Sequence, residues 1–180
     1  VTGMWGHLAG RLVLSDVDYR ILRELYEAEI AHADAQLARL LDGVDRAAGG
    51  RETLIVFTSD HGEHLGDHSL IQKGPPGLDS CIHVPLLLSF PGRFGGQKHS
   101  EMIEAVDIAP TILEATGIPL PEVVDGIKQT PMDGVSMVYT FDDATAKHRH
   151  VRQYFEMFGC RSIYHDGWRA ECGWPGPSCT

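Results

Sequence analysis

A run of apolar and β-branched residues, Leu54 to Phe57 with Thr58 and Ser59 behind them, ends abruptly at Asp60-His61-Gly62. Residues of this kind over 54–59 suit one buried strand of a parallel sheet. A carboxylate and an imidazole then stand side by side, and the glycine after them permits a sharp turn. Ligands of open α/β sheets sit beyond the carboxyl ends of the strands. Asp60 and His61 therefore fall where such a fold does its chemistry. A hard oxygen donor beside a nitrogen donor suits a divalent metal ion. A solvated turn closing the strand uses the same three residues, so the tripeptide alone leaves both readings open.

The surrounding chain alternates strands and helices. Ser15 or Asp16 is placed to cap a helix running to about Val44. Its apolar stripe is Ile21, Leu22, Leu25, Ala28, Leu37, Leu40, Leu41 and Val44, at helical spacing. Glu24, Glu27 and Glu29 form its solvated face, and Gly49-Gly50 ends the unit. After the strand at 54–59 comes a loop rich in His, Gly and Pro over 62–78, then a second strand at 84–89. A further helix covers about 107–116, with Pro110 in its first turn, and stops at Gly117 before Pro119 and Pro121. Strand, crossover, strand, helix is the alternation of an α/β sheet. From about Gln129 the pattern changes. The aromatic segments 153–158 and 161–164 read as an antiparallel strand pair, and Asp166-Gly167 as the turn of a packed hairpin. Residues 1–14 and 173–178 read as irregular.

Charge and composition narrow the function. The net charge is −10, so no basic face is available to neutralise phosphates, which argues against a nucleic-acid partner. It leaves an anionic small molecule open, because a bound cation and a few local lysines dominate such a site. No run of 18 apolar residues occurs, so nothing in the sequence reads as a membrane span. Cys172 and Cys179 are spaced to pair in an oxidising compartment or to stay as thiols. The compartment is not legible.

Several ordered segments resemble the sulfatases of the alkaline-phosphatase-like superfamily. The segment TLIVFTSDHGEHLGDHSLIQKG at 53–74 is similar to the family's second metal-ligand block, and HVPLLLSFPGR at 83–93 to the strand and turn after it. VDIAPTILEATG at 106–117, DGVSMVYTFDDA at 133–144 and RQYFEMFGCRSIYHDGWRA at 152–170 follow in family order, the last like bacterial arylsulfatases. YEAEIAHADAQLARLLDGV at 26–44 resembles the helix leading into the Asp-His block. The resemblance implies an α/β fold, the C-terminal part of an alkaline-phosphatase-like sandwich with a small antiparallel C-terminal sheet. It divides the chain into the C-terminal half of the catalytic domain, 1–128, and a small subdomain, 129–180.

The resemblance also assigns roles. Asp60 and His61 would ligate a divalent cation, with Ca2+ the first choice and Mn2+ the second because of the imidazole. Lys73 would be the catalytic lysine that reaches sulfate and leaving-group oxygens; a surface lysine is the bland alternative. The family's nucleophile is a formylglycine made from Cys or Ser in a Cys/Ser-x-Pro-x-Arg motif, preceded by an Asp-Asp metal pair. Neither motif precedes Asp60 here, so the chain reads as the C-terminal part of a larger enzyme, inactive by itself. Ser89-Phe90-Pro91-Gly92-Arg93 matches the motif literally but follows the Asp-His block, and Pro91-Gly92 reads as turn chemistry. The implied activity is cleavage of a small-molecule sulfate monoester. The alternatives are a phosphodiesterase or phosphonate monoester hydrolase of the same superfamily, or a non-catalytic metal-binding remnant.

The other histidines weigh less. His61, His64 and His68 would share a helix face with Asp67 nearby, which suggests zinc. Gly62 and Gly66 interrupt any helix there, and His-Glu-x-x-His spacing is absent. His64 and His68 are expected to pack around the site, and His83 to be structural.

Overall fold

The computed structural model describes residues 13–73, 77–100, 102–147, 149–157 and 160–172. The expectations for residues 1–12 and 173–178, and for a Cys172–Cys179 pair, lie outside the described residues. The chain falls into two compact units divided between Pro91 and Gly92.

Helix α1 spans Asp16–Ala48, 33 residues. Ser15 is its N-cap, and the capping box is reciprocal. The Asp18 amide donates to Ser15 Oγ at 3.3 Å, and the Ser15 amide donates to Asp18 Oδ2 at 2.8 Å. The Ser15 hydroxyl adds a 2.7 Å bond to the same oxygen. These donors hold the Asp18 carboxyl below its ordinary value. The helix runs one turn beyond the expected end. Gly49 closes it in the left-handed region, at φ 58°, and the Arg51 guanidinium donates to the carbonyls of Ala47 and Ala48 at 3.0 and 2.9 Å. Of the expected stripe, Leu22, Leu37, Leu41 and Val44 are half-buried, while Leu25 and Leu40 are exposed.

The next elements carry a correction. β1 (Ile55–Thr58) pairs with β2 (Leu86–Ser89) in antiparallel register, Ile55 opposite Ser89 and Thr58 opposite Leu86. A parallel strand and a crossover were expected. The connection is long enough for a parallel return, but among the described residues it carries a 3-10 turn at Asp67–Ser69 and one short helix, α2 at Asp79–Ile82, and no crossover helix of the usual length. Nor is β1 fully buried: Ile55 and Val56 are half-buried, Phe57 and Thr58 exposed. An apolar run records burial potential and leaves strand direction undetermined. Phe90 is buried just after β2, and Gly92, at φ 83°, turns the chain as Pro91-Gly92 suggested.

In the second unit, α3 (Ile108–Thr116) ends at Gly117, φ 69°, as expected. A short ribbon follows, β3 (Val123–Val124) with β4 (Ile127–Lys128). The C-terminal sheet is an antiparallel meander of β5 (Arg152–Met157), β6 (Cys160–His165) and β7 (Trp168–Cys172). Asp166 and Gly167, φ 47° and 85°, form the two-residue turn between β6 and β7, both left-handed as that turn demands. The hairpin is not packed along β7, whose residues are all exposed.

Buried polar groups organise the start of α3. Asp107 accepts from the amides of Glu104 and Val135 at 2.9 and 2.7 Å. Its Oδ2 also meets His150 Nε2 at 2.7 Å. Thr111 Oγ1 donates to the Asp107 carbonyl at 2.6 Å and accepts from the Met137 amide at 2.9 Å. Burial raises the Glu104 carboxyl above its ordinary value, partly opposed by His150.

Candidate metal and anion site

The site is built on the loop that leaves β1. Asp60 follows the strand by one residue, and its Oδ1 accepts from the His61 amide at 3.0 Å. Its side chain is 85% exposed. His61 Nδ1 meets the Gly62 carbonyl oxygen at 2.7 Å. A carbonyl only accepts, so Nδ1 carries the proton. Lys73 Nζ lies 3.1 Å from His61 Nε2. An ammonium only donates, so Nε2 presents its lone pair. Two partners thus select the Nδ1–H tautomer, whose Nε2 lone pair accepts from Lys73; the ammonium has to turn aside before Nε2 can ligate a cation. Asp60 Oδ2 lies 3.6 Å from the same Nε2.

Gly62 is needed for a reason the sequence did not reveal. It is absent from the residues with positive φ, so turn freedom is not its role. A Cβ there would collide with the Ser80 carbonyl oxygen. The Gly62 amide donates to the Cys81 carbonyl at 2.8 Å, drawing the loop onto α2. Lacking a side chain is what permits that approach.

The loop closes on itself to bring Lys73 back. His64 N–H donates to the Gln72 carbonyl at 3.2 Å and Gly66 N–H to the Leu70 carbonyl at 2.8 Å. Leu65, His68, Ser69 and Gln72 are all left-handed, with φ between 47° and 61°. Non-glycine residues rarely take that conformation, and surrounding structure must hold them in it. Part of that hold comes from α1. Arg23 Nε donates to the Leu65 carbonyl at 2.9 Å, and Gly66, φ 104°, lies against Arg23 and the Tyr19 ring with no room for a Cβ.

His64 is buried at 2% exposure, as its expected packing role requires. Its Nδ1 meets Ser80 Oγ at 2.7 Å, and its Nε2 lies 3.4 Å from Cys81 Sγ. Burial pushes its pKa down. His68 is exposed, contrary to the packing expected of it. Its left-handed backbone in a 3-10 turn carries the side chain outward. The His83 amide donates to the Asp79 carbonyl at 2.9 Å and ends α2, while its side chain is exposed. Ser80, Cys81 and His150 escaped sequence reasoning, for their partners lie 16 to 43 residues away and no local spacing marks them.

The donor types suit a cation, one carboxylate oxygen and one imidazole nitrogen, the nitrogen being engaged by Lys73 in this arrangement. Among the described residues no group of three His, Cys, Asp or Glu side chains is placed to hold one. The site is also open to water, where charges interact weakly.

The sulfatase family model matches residues 18–118, more than half of the chain and the whole loop from Asp60 to Lys73. The chain belongs to the sulfatase family. It is 37% identical over 120 residues to the multifunctional alkaline phosphatase superfamily protein PehA of Trinickia caryophylli, covering 66% of this chain and 23% of that one. It is 33% identical over 111 residues to human arylsulfatase K, covering 62% and 20%. The structure of a putative sulfatase from Bacteroides thetaiotaomicron superposes with a TM-score of 0.62 at 22% identity, over 84% of this chain and 33% of that one. That likeness establishes the fold, an α/β sulfatase architecture with small antiparallel sheets. The chain spans about a fifth to a quarter of the length of these curated relatives.

Proposed function

We propose that this chain supplies part of the cation- and anion-binding site of a sulfuric ester hydrolase of arylsulfatase type, acting on a sulfate monoester of a small molecule. The observation that carries this is the convergence of Asp60, His61 and Lys73 on one point of the loop after β1, with the His61 tautomer fixed. Asp60 Oδ2 and His61 Nε2 would hold a divalent cation, Ca2+ first and Mn2+ second. Such a cation, when bound, withdraws electron density from sulfate oxygens and stabilises charge that grows there.

The chain's own residues do the rest. The Gly62 carbonyl keeps the His61 proton on Nδ1. The Lys73 ammonium is a compact point charge on a flexible stem, suited to an oxygen that gains charge as the ester bond breaks. None of the three is the nucleophile; the proposal assigns that to a formylglycine. Ser89 does not take its place, since it ends β2 opposite Ile55 and leads into the Pro91-Gly92 turn.

The test is calorimetric titration of the 180-residue chain with Ca2+ and with Mn2+. Binding that disappears in Asp60→Ala and in His61→Ala supports the proposal. No binding, or binding indifferent to both substitutions, defeats it. Turnover of 4-nitrophenyl sulfate by this chain alone would overturn the assignment of the nucleophile. A phosphoester or phosphonate hydrolase is the second reading, favoured by the 37% identical relative and its superfamily name. Tighter binding of methylphosphonate than of sulfate to the cation-loaded chain would select it.

A further inference from the structure

We propose that His64 is the positioning residue of the cation site. Through Ser80 and Cys81 it holds the short helix against which Gly62, and hence the His61 ring, is set. The inference rests on the function proposed above and extends it by one layer.

The connection is continuous. His64 meets Ser80 Oγ at 2.7 Å through Nδ1 and approaches Cys81 Sγ to 3.4 Å through Nε2. These two side chains come from the middle of α2. The backbone of the same two residues faces Gly62: the Cys81 carbonyl accepts its amide at 2.8 Å, and the Ser80 carbonyl lies where a Cβ would be. The Gly62 carbonyl in turn accepts from His61 Nδ1 at 2.7 Å. His64 thus grips by side chain the element that Gly62 touches by backbone, and Gly62 orients the ligand ring.

α2 is one turn of four residues and makes little structure by itself. Its place depends on what holds it. His64 is the buried polar side chain that does so from within the loop, and it spends both ring nitrogens there. An acceptor that holds the far ring N–H of a metal-binding imidazole commonly changes metal affinity by about 10- to 100-fold when lost. Here the outer layer is the Gly62 carbonyl, and His64 acts one step behind it.

Burial alone would make His64 a packing residue, so the test must read the ligand and not only stability. Mn2+ affinity is measured on the wild-type chain, His64→Leu, His64→Asn and Ser80→Ala, with melting temperature for each. Nitrogen-15 shifts of the His61 ring report its tautomer without metal. His64→Leu keeps bulk and loses both polar contacts. His64→Asn keeps a donor near the Nδ1 position, facing Ser80. The expected result is Mn2+ binding weakened by up to about 10-fold in His64→Leu, the lower end of what losing a direct partner costs, and largely restored in His64→Asn. The His61 ring passes from one tautomer in the wild type to exchange between two in His64→Leu.

Where His64→Leu fails to fold, Ser80→Ala removes a single hydroxyl and is expected to weaken Mn2+ binding in the same direction. Undiminished Mn2+ affinity with an unchanged His61 tautomer, in a variant that melts earlier, overturns the positioning role and leaves the cation site standing. Equal losses in His64→Leu and His64→Asn overturn it too, since packing and not the Ser80 contact would then be responsible. No Mn2+ binding by the wild-type chain defeats the underlying function itself.

Discussion

Glu104 shows what a single buried carboxyl does to the pH response of the second unit. It starts the turn that leads into α3, and burial raises its pKa above the ordinary 4.5. The folded state therefore holds this proton more tightly than the unfolded chain does. The stability this contributes is fully present below about pH 4.5 and is lost as pH rises through the folded value. At neutral pH the ionised side chain sits partly desolvated beside Asp107, with His150 Nδ1 only at 4.0 Å. Glu104→Gln keeps the acceptor oxygen that caps the Asp107 amide and removes the charge. It should raise the melting temperature at pH 7, with the gain shrinking toward pH 4. A scanning-fluorimetry series over that range checks the sign; a gain that grows on acidification contradicts it.

At the scale of elements, two turns of the same chemistry were not equally legible. Asp166-Gly167 lies between recognisable strands, and its Asp-Gly pair identified the hairpin that joins β6 to β7. Asp125-Gly126 is the same pair, with φ 49° and 79°, and joins β3 to β4. It was missed because Val123-Val124 and Ile127-Lys128 are too short to read as strands after Pro119 and Pro121. The α1 cap was legible because Ser15 and Asp18 are local, whereas the direction of β1 was not, because its partner lies about 30 residues away. The site divides the same way. Asp60 and His61 stood out as a tripeptide with Gly62, and Lys73 through the family resemblance, but the reason for Gly62 is a carbonyl on α2 that no spacing reports.

The β6–β7 turn gives a direct measure of this local chemistry. Gly167 has φ 85°, where a side chain is strained, and nothing stands within 4 Å of an added Cβ. Gly167→Ala should therefore cost about 1 kcal/mol through backbone strain alone. Asp166→Asn should be nearly neutral, because Asn tolerates φ of 47° as well as Asp. Urea unfolding midpoints of the two variants against wild type decide it. Equal losses in both would mean that the Asp166 carboxylate sets the turn as much as the glycine does.

The whole molecule combines ordinary composition with sparse burial. Hydrophobic residues make up 43% of the chain, a normal share. Among the described residues, however, the fully buried apolar side chains are Cys81, Phe90 and Met137. Ile21 and Leu25, one helical turn apart on α1, are 46% and 60% exposed; Leu87 on β2 is 62% and Trp168 on β7 is 81% exposed. Single exposed apolar residues are common, whereas neighbours on one helix face add their apolar area together. Hydrogen bonds, caps and tight turns hold the local geometry in each unit, while little apolar area is withdrawn from water to stabilise it. The 180-residue chain should then enhance ANS fluorescence in native buffer and melt over a broad range, with the Asp107 and His64 networks the last amides to exchange. Sedimentation run alongside separates exposure from self-association. A monomer with no ANS response and a sharp transition would contradict the exposures seen along α1, β2 and β7. A concentration-dependent oligomer that loses its ANS response on assembly would show that copies of the chain cover these faces for one another.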